Sequence, residues 1–192
     1  MPVKRSLPDR RDVVRALAAR RGDAAVVSSL GSPTWDLAAA GDSPLNYYLW
    51  GAMGAAAMMG LGLALAQPKR RIVALCGDGE MLMALGSLAT ISVLAPKNLS
   101  LLVLDNGHYL ETGGQRSHTS RGTDLAAMAR GAGLRTVLSC EDTPGVDKAI
   151  EAVVAGNGPV FALVRVGADT PPLVMPERDG GVLKTRMRAA LS

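Results

Sequence analysis

Two short stretches carry the residues best able to do chemistry. Gly77-Asp78-Gly79 sets a carboxylate between two glycines, Asp105-Asn106-Gly107 sets an amide beside a second carboxylate, and residues 80–104 lie between them. Oxygen donors next to backbone free of side-chain bulk suit a hard divalent cation, because Mg²⁺ prefers oxygen ligands and completes its shell with phosphates. The pair therefore points to a magnesium–diphosphate site. Taken alone, Gly77-Asp78-Gly79 also fits a tight strand-to-helix connection in which glycine supplies the backbone angles and Asp78 caps the helix. Neither common nucleotide fingerprint is met: Leu82 stands where a dinucleotide site needs its third glycine, and no Gly-Lys-Ser/Thr run exists for a P-loop.

These stretches need elements to hold them. Arg71 to Cys76 and Leu99 to Leu104 are apolar runs that read as strands ending at Gly77 and Asp105. A helix is expected from about Met81 to Leu94, stopped by Pro96. Upstream, Asp9 to Arg21 reads as an amphipathic helix with Val13, Leu17 and Ala18 on one face and arginines opposite, Ala24 to Ser28 as a buried strand, and Ser32 to Ala39 as a short helix in which Ser32 caps and Pro33 follows. A further helix is expected over about Ala52 to Ala66. Downstream come a long polar loop from Gly107 to Gly122, a helix capped by Asp124 and running to Arg130, a strand over Leu134 to Leu138, a helix over Thr143 to Ala155 and a strand over Pro159 to Val166. Residues 171–192 form a proline-containing tail and a last helix from about Val182 to Leu191. Strands that are apolar throughout and alternate with helices imply an α/β fold of three layers, a mainly parallel sheet with helices on both faces. Ligands of such sheets bind beyond the carboxyl ends of the strands, where Asp78 and Asn106 both fall.

Composition bounds the alternatives. A chain of 192 residues with 48% hydrophobic residues buries a full core, and one domain over 1–192 is expected. Aromatics make up only 3%, so small aliphatic side chains must build that core. The net charge of +4 comes from basic residues in amphipathic stretches without interleaved aromatics, which favours an anionic ligand or acidic partner over nucleic acid. Cys76 and Cys140 lack metal spacing and fit a reducing, cytoplasmic compartment. Met1-Pro2-Val3-Lys4-Arg5 contains no apolar signal region. Tyr47 to Ala66 is uncharged and long enough to span a bilayer, but its glycines at 51, 54, 60 and 62 favour a buried loop and helix.

The spacing of Gly77-Asp78-Gly79 and Asp105-Asn106 resembles the signature of thiamine diphosphate enzymes, specifically their diphosphate-binding, C-terminal-type domain. The loop Asp105-Asn106-Gly107-His108-Tyr109-Leu110-Glu111-Thr112-Gly113-Gly114-Gln115 looks most like that of sulfopyruvate and phosphonopyruvate decarboxylases. The resemblance spans about residues 10–170. Asp105 replaces the Asn commonest in the family, Leu110 stands where Gly is common, and Glu111 where Ser or Asp is frequent.

The resemblance implies that Asp78, the Asn106 side chain and the His108 carbonyl ligate Mg²⁺. It implies that Gly79 and Glu80 present backbone N–H groups to the diphosphate. Met53, in Gly51-Ala52-Met53-Gly54, matches the bulky residue that keeps the cofactor bent, with the Gly51 carbonyl accepting from its amino group. Gly77 and Tyr109 complete the implied cofactor set, and His118, His108 and Gln115 are candidates for catalytic support. The arginines at 116 and 121 suit a sulfonate or phosphonate group of a small anionic 2-oxo acid. The glutamate that activates the cofactor belongs, in this family, to a pyrimidine-binding domain, and Glu80 is at the wrong end to replace it. A partner chain is expected to bring it. The implied reaction is decarboxylation to an aldehyde. Another subunit of the superfamily (synthase, lyase or 2-oxo acid oxidoreductase) or a non-catalytic cofactor-holding subunit remains an alternative, and the lack of cysteine clusters speaks against the oxidoreductase.

Overall fold

The computed structural model describes residues 6–192, so the first five residues, read above as carrying no signal region, lie outside the described part. Six parallel strands form the central sheet. In chain order the elements are α1 (Arg10–Arg20), β1 (Ala25–Ser28), α2 (Ser32–Ala39), β2 (Asn46–Tyr48), α3 (Ala56–Ala66), β3 (Ile72–Gly77), α4 (Asp78–Met83), α5 (Leu85–Leu94) and β4 (Leu99–Asp105). There follow β5 (His108–Tyr109), β6 (Gln115–Arg116), α6 (Leu125–Gly131), β7 (Thr136–Cys140), α7 (Thr143–Ala155), β8 (Val160–Arg165) and α8 (Gly180–Leu191). The sheet order is β2-β1-β3-β4-β8-β7, and β5 and β6 form a separate hairpin. The expected three-layer α/β architecture is the one observed.

Alternation along the strands sends side chains to two buried faces. Ala74, Cys76, Leu101 and Val103 pack with α3, α5 and α6, through Leu61, Leu88, Ile91 and Leu125 among others. Val73, Leu75, Leu102 and Leu104 pack on the opposite face with α1 and α7, through Val14, Leu17, Ile150 and Val153. A strand buried on both faces has no solvent side, which is why these runs are apolar throughout.

The sequence expectations need several corrections. The helix expected from Met81 to Leu94 is two helices, because Ala84 leaves helical geometry (φ −108°, ψ 19°) and its N–H bonds to the Met81 carbonyl at 3.1 Å. The helix expected from Ala52 starts only at Ala56, since a turn at Gly54 (φ 89°) precedes it. Gly31 (φ 79°), not Ser32, takes the cap position of α2. The strand expected from Leu134 begins at Thr136, after the turn at Gly133. Arg10 does not join the exposed arginines of α1: it is 6% exposed and pairs with the fully buried Asp36, which Arg11 also reaches at 3.2 Å. Among the described residues no helix is long and apolar enough to cross a membrane.

Two features of this frame position the site. Strand order reverses between β1 and β3, because β1 leads outward to β2 while β3 leads to β4. Such a switch point opens a crevice at the carboxyl ends of the strands. The pairing of β3 with β4, Gly77 opposite Leu104, then sets Asp78 beside Asp105.

Candidate functional site

A pocket opens at that switch point. Its wall combines the ends of β1 and α2 (Leu30, Ser32, Pro33), the α3 approach (Met53), the β3–α4 turn (Gly77, Asp78, Gly79, Glu80) and the segment after β4 (Leu104, Asn106, His108 to Thr112), with Arg10 entering from α1. Of the residues singled out from sequence, Met53, Gly77, Asp78, Gly79, Glu80, Asn106, His108 and Tyr109 line it together. Gly51, Gln115 and His118 do not line it, and all three are exposed.

Asp78 is 2% exposed, with one carboxylate oxygen accepting from the Ser117 hydroxyl and, at 3.1 Å, from the Thr119 hydroxyl. Burial pushes its pKa above the ordinary carboxylate range, the Ser117 hydrogen bond pulls it back, and neighbouring Asp105 pushes it up again. Asp105 is equally buried; it accepts from the Gly107 N–H at 3.0 Å and the Thr119 hydroxyl at 2.7 Å, and Arg165 stands 3.7 Å away. Two carboxylates withdrawn from water at neighbouring strand ends favour a cation between or beside them.

Asn106 forms a local turn, its side-chain oxygen accepting from the His108 N–H at 2.9 Å. The turn fixes that oxygen's direction and leaves a second lone pair for another donor or a metal. The His108 ring Nδ1 lies 2.8 Å from the Asn106 carbonyl. Gly107 has φ 70°, and a Cβ there would sit 3.0 Å from the Ser120 Cβ, so both angle and space call for glycine. Among the described residues no three His, Cys, Asp or Glu side chains converge on one point. The donors at hand are oxygens of Asp78, Asn106 and nearby backbone, a set that fits Mg²⁺ rather than zinc.

Gly79 brings the turn against two side chains. A Cβ on it would lie 2.3 Å from Tyr109 Cε1 and 3.2 Å from Met53 Cε. Tyr109 and Met53 therefore close on this glycine from two sides of the pocket. The Glu80 side chain does not point into solvent: 3% exposed, it accepts from the Gly54 N–H and, at 3.0 Å, from the Ala56 N–H. Burial raises its pKa, and the N–H groups of Gly54, Ala56 and Ala55 offset part of that rise.

The polar loop of residues 107–122 is more ordered than its composition suggests. Its hairpin pairs His108 with Arg116 and Tyr109 with Gln115. Gln115 spends its amide within the hairpin, donating to the Thr112 carbonyl at 2.7 Å and accepting from the Thr112 hydroxyl at 2.9 Å. His118 Nδ1 stands 3.5 Å from the Tyr109 hydroxyl. Arg116 donates to the Ser120 carbonyl, and neither Arg116 nor Arg121 lines the pocket. Arg10 is the arginine in its wall. Glu111 turns toward α2, accepting from the Trp35 indole N–H at 3.0 Å, and its Cγ comes within 2.7 Å of where a Gly31 Cβ would be.

Sequence reasoning missed Ser117 and Thr119, which look like ordinary loop residues until the fold sets them on Asp78. It also missed the Glu80 side chain, although a carboxylate one position after Gly79 was visible, and the wall formed by Arg10, Ser32 and Pro33.

The chain as a whole is similar to several known proteins. Phosphonopyruvate decarboxylase of Streptomyces viridochromogenes is 44% identical over 156 residues, covering 80% of this chain but 39% of its own length. Sulfopyruvate decarboxylase subunit beta of Methanothermobacter thermautotrophicus is 41% identical over 152 residues, 78% of each chain, and that of Methanocaldococcus jannaschii is 40% identical over 69% of this chain and 70% of its own. This chain thus spans well under half of the Streptomyces relative. Among solved structures, benzoylformate decarboxylase from Polynucleobacter necessarius shares the fold with a TM-score of 0.68 at 20% identity, over 90% of this chain and 35% of that one. A protein of Mycobacterium smegmatis described as thiamin diphosphate-dependent aligns with a TM-score of 0.72 at 24% identity, over 84% and 32%. Residues 31–164 match the family model "Thiamine pyrophosphate enzyme, C-terminal TPP binding domain", which takes in Gly31, Met53, Asp78, Asn106 and the hairpin alike. With 40–44% identity to these decarboxylases and the family's model matched from Gly31, just before α2, into β8, the chain belongs to the thiamine pyrophosphate enzymes, as their C-terminal-type cofactor-binding domain.

Proposed function

We propose that this chain is the diphosphate- and Mg²⁺-binding subunit of a thiamine diphosphate-dependent decarboxylase acting on a small anionic 2-oxo acid of the sulfopyruvate or phosphonopyruvate type. One observation carries the reading: Asp78 and Asn106 meet at the ends of adjacent strands, in one pocket with Met53 and Gly79. Asp78 and the Asn106 side chain hold the metal, with the His108 carbonyl as third protein ligand, and the backbone at Gly79 and Glu80 receives the diphosphate. Met53, in the same wall, would stand against the organic part of the cofactor. The cofactor, when bound, supplies an electron sink for loss of CO₂ from the 2-oxo acid, leaving an aldehyde after protonation.

The chain's own contributions follow from its geometry. Leu30, Pro33, Leu104 and Leu110 give the pocket apolar walls that exclude water, while Asp78 and Glu80 are withdrawn from solvent beneath it. Tyr109 and His108 cover the turn on the side of the hairpin, while His118 stands outside the pocket wall and reaches the site only through the Tyr109 hydroxyl, 3.5 Å from its Nδ1. The relatives named as beta subunits are matched over most of their length, which favours a two-chain enzyme whose partner brings the pyrimidine-binding domain and its glutamate. Sulfopyruvate and phosphonopyruvate decarboxylase names among the relatives favour a sulfonated or phosphonated substrate.

The test is a panel of 2-oxo acids (sulfopyruvate, phosphonopyruvate, pyruvate, benzoylformate) with Mg²⁺ and thiamine diphosphate, assayed with this chain alone and with a pyrimidine-domain partner. Turnover is expected only with both chains and best on a sulfonate or phosphonate. Turnover by this chain alone removes the partner from the reading, and unchanged cofactor affinity in Asp78→Ala removes the metal site.

A further inference from the structure

Helix α3 begins without a cap of its own. Its N-cap position is Ala55, which has no side chain to accept from the first free N–H groups, and no residue in its first turn is acidic. Four N–H groups at a helix start lack partners within the helix, and leaving them buried and unpaired is costly. The acceptor comes from another element. Glu80, on α4, accepts from the Gly54 N–H with one carboxylate oxygen and from the Ala56 N–H at 3.0 Å with the other. The positions are 26 and 24 residues apart in sequence, and the carboxylate is 3% exposed.

Glu80 is also one residue from Gly79, whose missing side chain leaves room for Met53 Cε at 3.2 Å from the Cβ position. Met53 directly precedes Gly54, the residue Glu80 grips. Gly54 holds φ 89°, and a Cβ there would be 3.3 Å from the Met83 Cβ of α4, so this turn is pressed onto the same helix that carries Glu80. One side chain thus ties the α4 start, where the diphosphate is received, to the turn that aims Met53 into the pocket.

We propose that the Glu80 carboxylate is a positioning residue that clamps the Gly54–Ala56 turn and thereby fixes Met53 against the organic body of the cofactor, apart from any contact of Glu80's backbone with the diphosphate. This rests on the thiamine diphosphate reading of the site. It predicts a division within the ligand: losing the clamp weakens binding of the thiamine portion and spares the diphosphate portion.

The experiment measures calorimetric affinity of the full chain, at saturating Mg²⁺, for thiamine diphosphate and for inorganic pyrophosphate. Glu80→Gln keeps the shape but turns an amide N–H₂ toward a backbone N–H. Loss of a charge-assisted pair of this kind should weaken thiamine diphosphate roughly tenfold to a hundredfold, with pyrophosphate affinity held to about twofold. In a Met53→Ala background, which already lacks the aimed side chain, Glu80→Gln should add little to the loss, because residues acting through one another are non-additive. Should Glu80→Gln fail to fold, Glu80→Asp keeps the charge, shortens the reach and is held to the same pattern. Equal weakening of both ligands, weakening of neither, or full additivity with Met53→Ala overturns the clamp. A wild-type chain that binds neither ligand overturns instead the cofactor reading beneath it.

Discussion

Asp78 and Thr119, 41 positions apart, are joined by a hydrogen bond of 3.1 Å, and the same Thr119 hydroxyl lies 2.7 Å from Asp105. A hydroxyl has one proton, so Thr119 donates to one of these two buried carboxylates at a time, Asp105 being the nearer, and it ties the ends of β3 and β4 to the loop after the hairpin. Thr119→Val keeps the shape and removes the donor. With Asp78 and Asp105 each 2% exposed, water cannot freely replace it, and about 1–3 kcal/mol of stability should be lost. Thr119→Ser should restore most of that. Urea denaturation of the three proteins checks this, and equal midpoints for Thr119→Val and wild type would remove Thr119 from the account.

Tyr109 occupies the space above Gly79, its Cε1 2.3 Å and Cδ1 2.8 Å from a Cβ position there. A methyl group at 79 forces the ring away. Overpacking of this kind costs about 1–3 kcal/mol where neighbours cannot yield. Here the ring is the outer part of a half-buried side chain in a hairpin, so the stability loss should sit at the low end. The larger effect of Gly79→Ala should fall on cofactor affinity, because the displaced ring and the new methyl both intrude on the pocket. Tyr109→Ala together with Gly79→Ala should recover the melting temperature but not the affinity. Recovery of both would place the whole effect in the ring.

The sheet was legible in the sequence because burial on both faces leaves its mark residue by residue: Ile72 to Cys76 and Leu99 to Leu104 contain no charge. The spacing of Asp78 and Asn106 was legible because both follow strands directly. Other parts depend on contacts distant in sequence. The three residues of β2 become a strand only by pairing with β1, Val26 opposite Asn46. The break falls at Ala84, a good helix former, while the nearby Gly86 lies within α5 and does not mark it. Ser117 and Thr119 reach Asp78 across 39 and 41 positions. The Glu80 side chain finds its partners behind it, on a turn that local reading had assigned to the start of α3. Polar loops conceal such roles because their side chains can satisfy themselves locally, as Gln115 does with Thr112.

Trp35 and Glu111 join α2 to the hairpin loop, the indole N–H donating at 3.0 Å. Trp35 is 6% exposed and lies 4.9 Å from Trp50 between ring centres, with the Arg178 guanidinium 5.0 Å above Trp50. Glu111→Ala should release this anchor at a cost of about 1 kcal/mol, since Glu111 itself is exposed. Protease cleavage between Leu110 and Gly114 should become faster and tryptophan emission should shift, because Trp35 and Trp50 are the chain's only two tryptophans. Glu111→Gln retains an acceptor and should behave like wild type. Identical proteolysis of Glu111→Ala and wild type would show that the hairpin holds its place without Trp35.

Asp42 and Arg186 fasten α8 to the sheet edge through contacts of 2.5 and 3.1 Å, and Tyr48 donates to the same carboxylate at 2.8 Å. Burial pushes the Asp42 pKa up, but the hydrogen bonds from Arg186, Tyr48 and the Ser43 N–H, with the charge of Arg186, outweigh it and hold the carboxyl below its ordinary range. A depressed folded-state pKa means the contribution is complete above the unfolded value, about 3.9, and is lost as pH falls through the lower folded value. Amide protection in α8 should therefore hold down to about pH 4 and then decline ahead of the central strands. Asp42→Asn should show weaker protection of α8 already at pH 7 and no further step on acidification. Hydrogen exchange followed by NMR across pH 7 to 3 reads both, and an acid step of unchanged size in Asp42→Asn would assign the transition to another carboxylate.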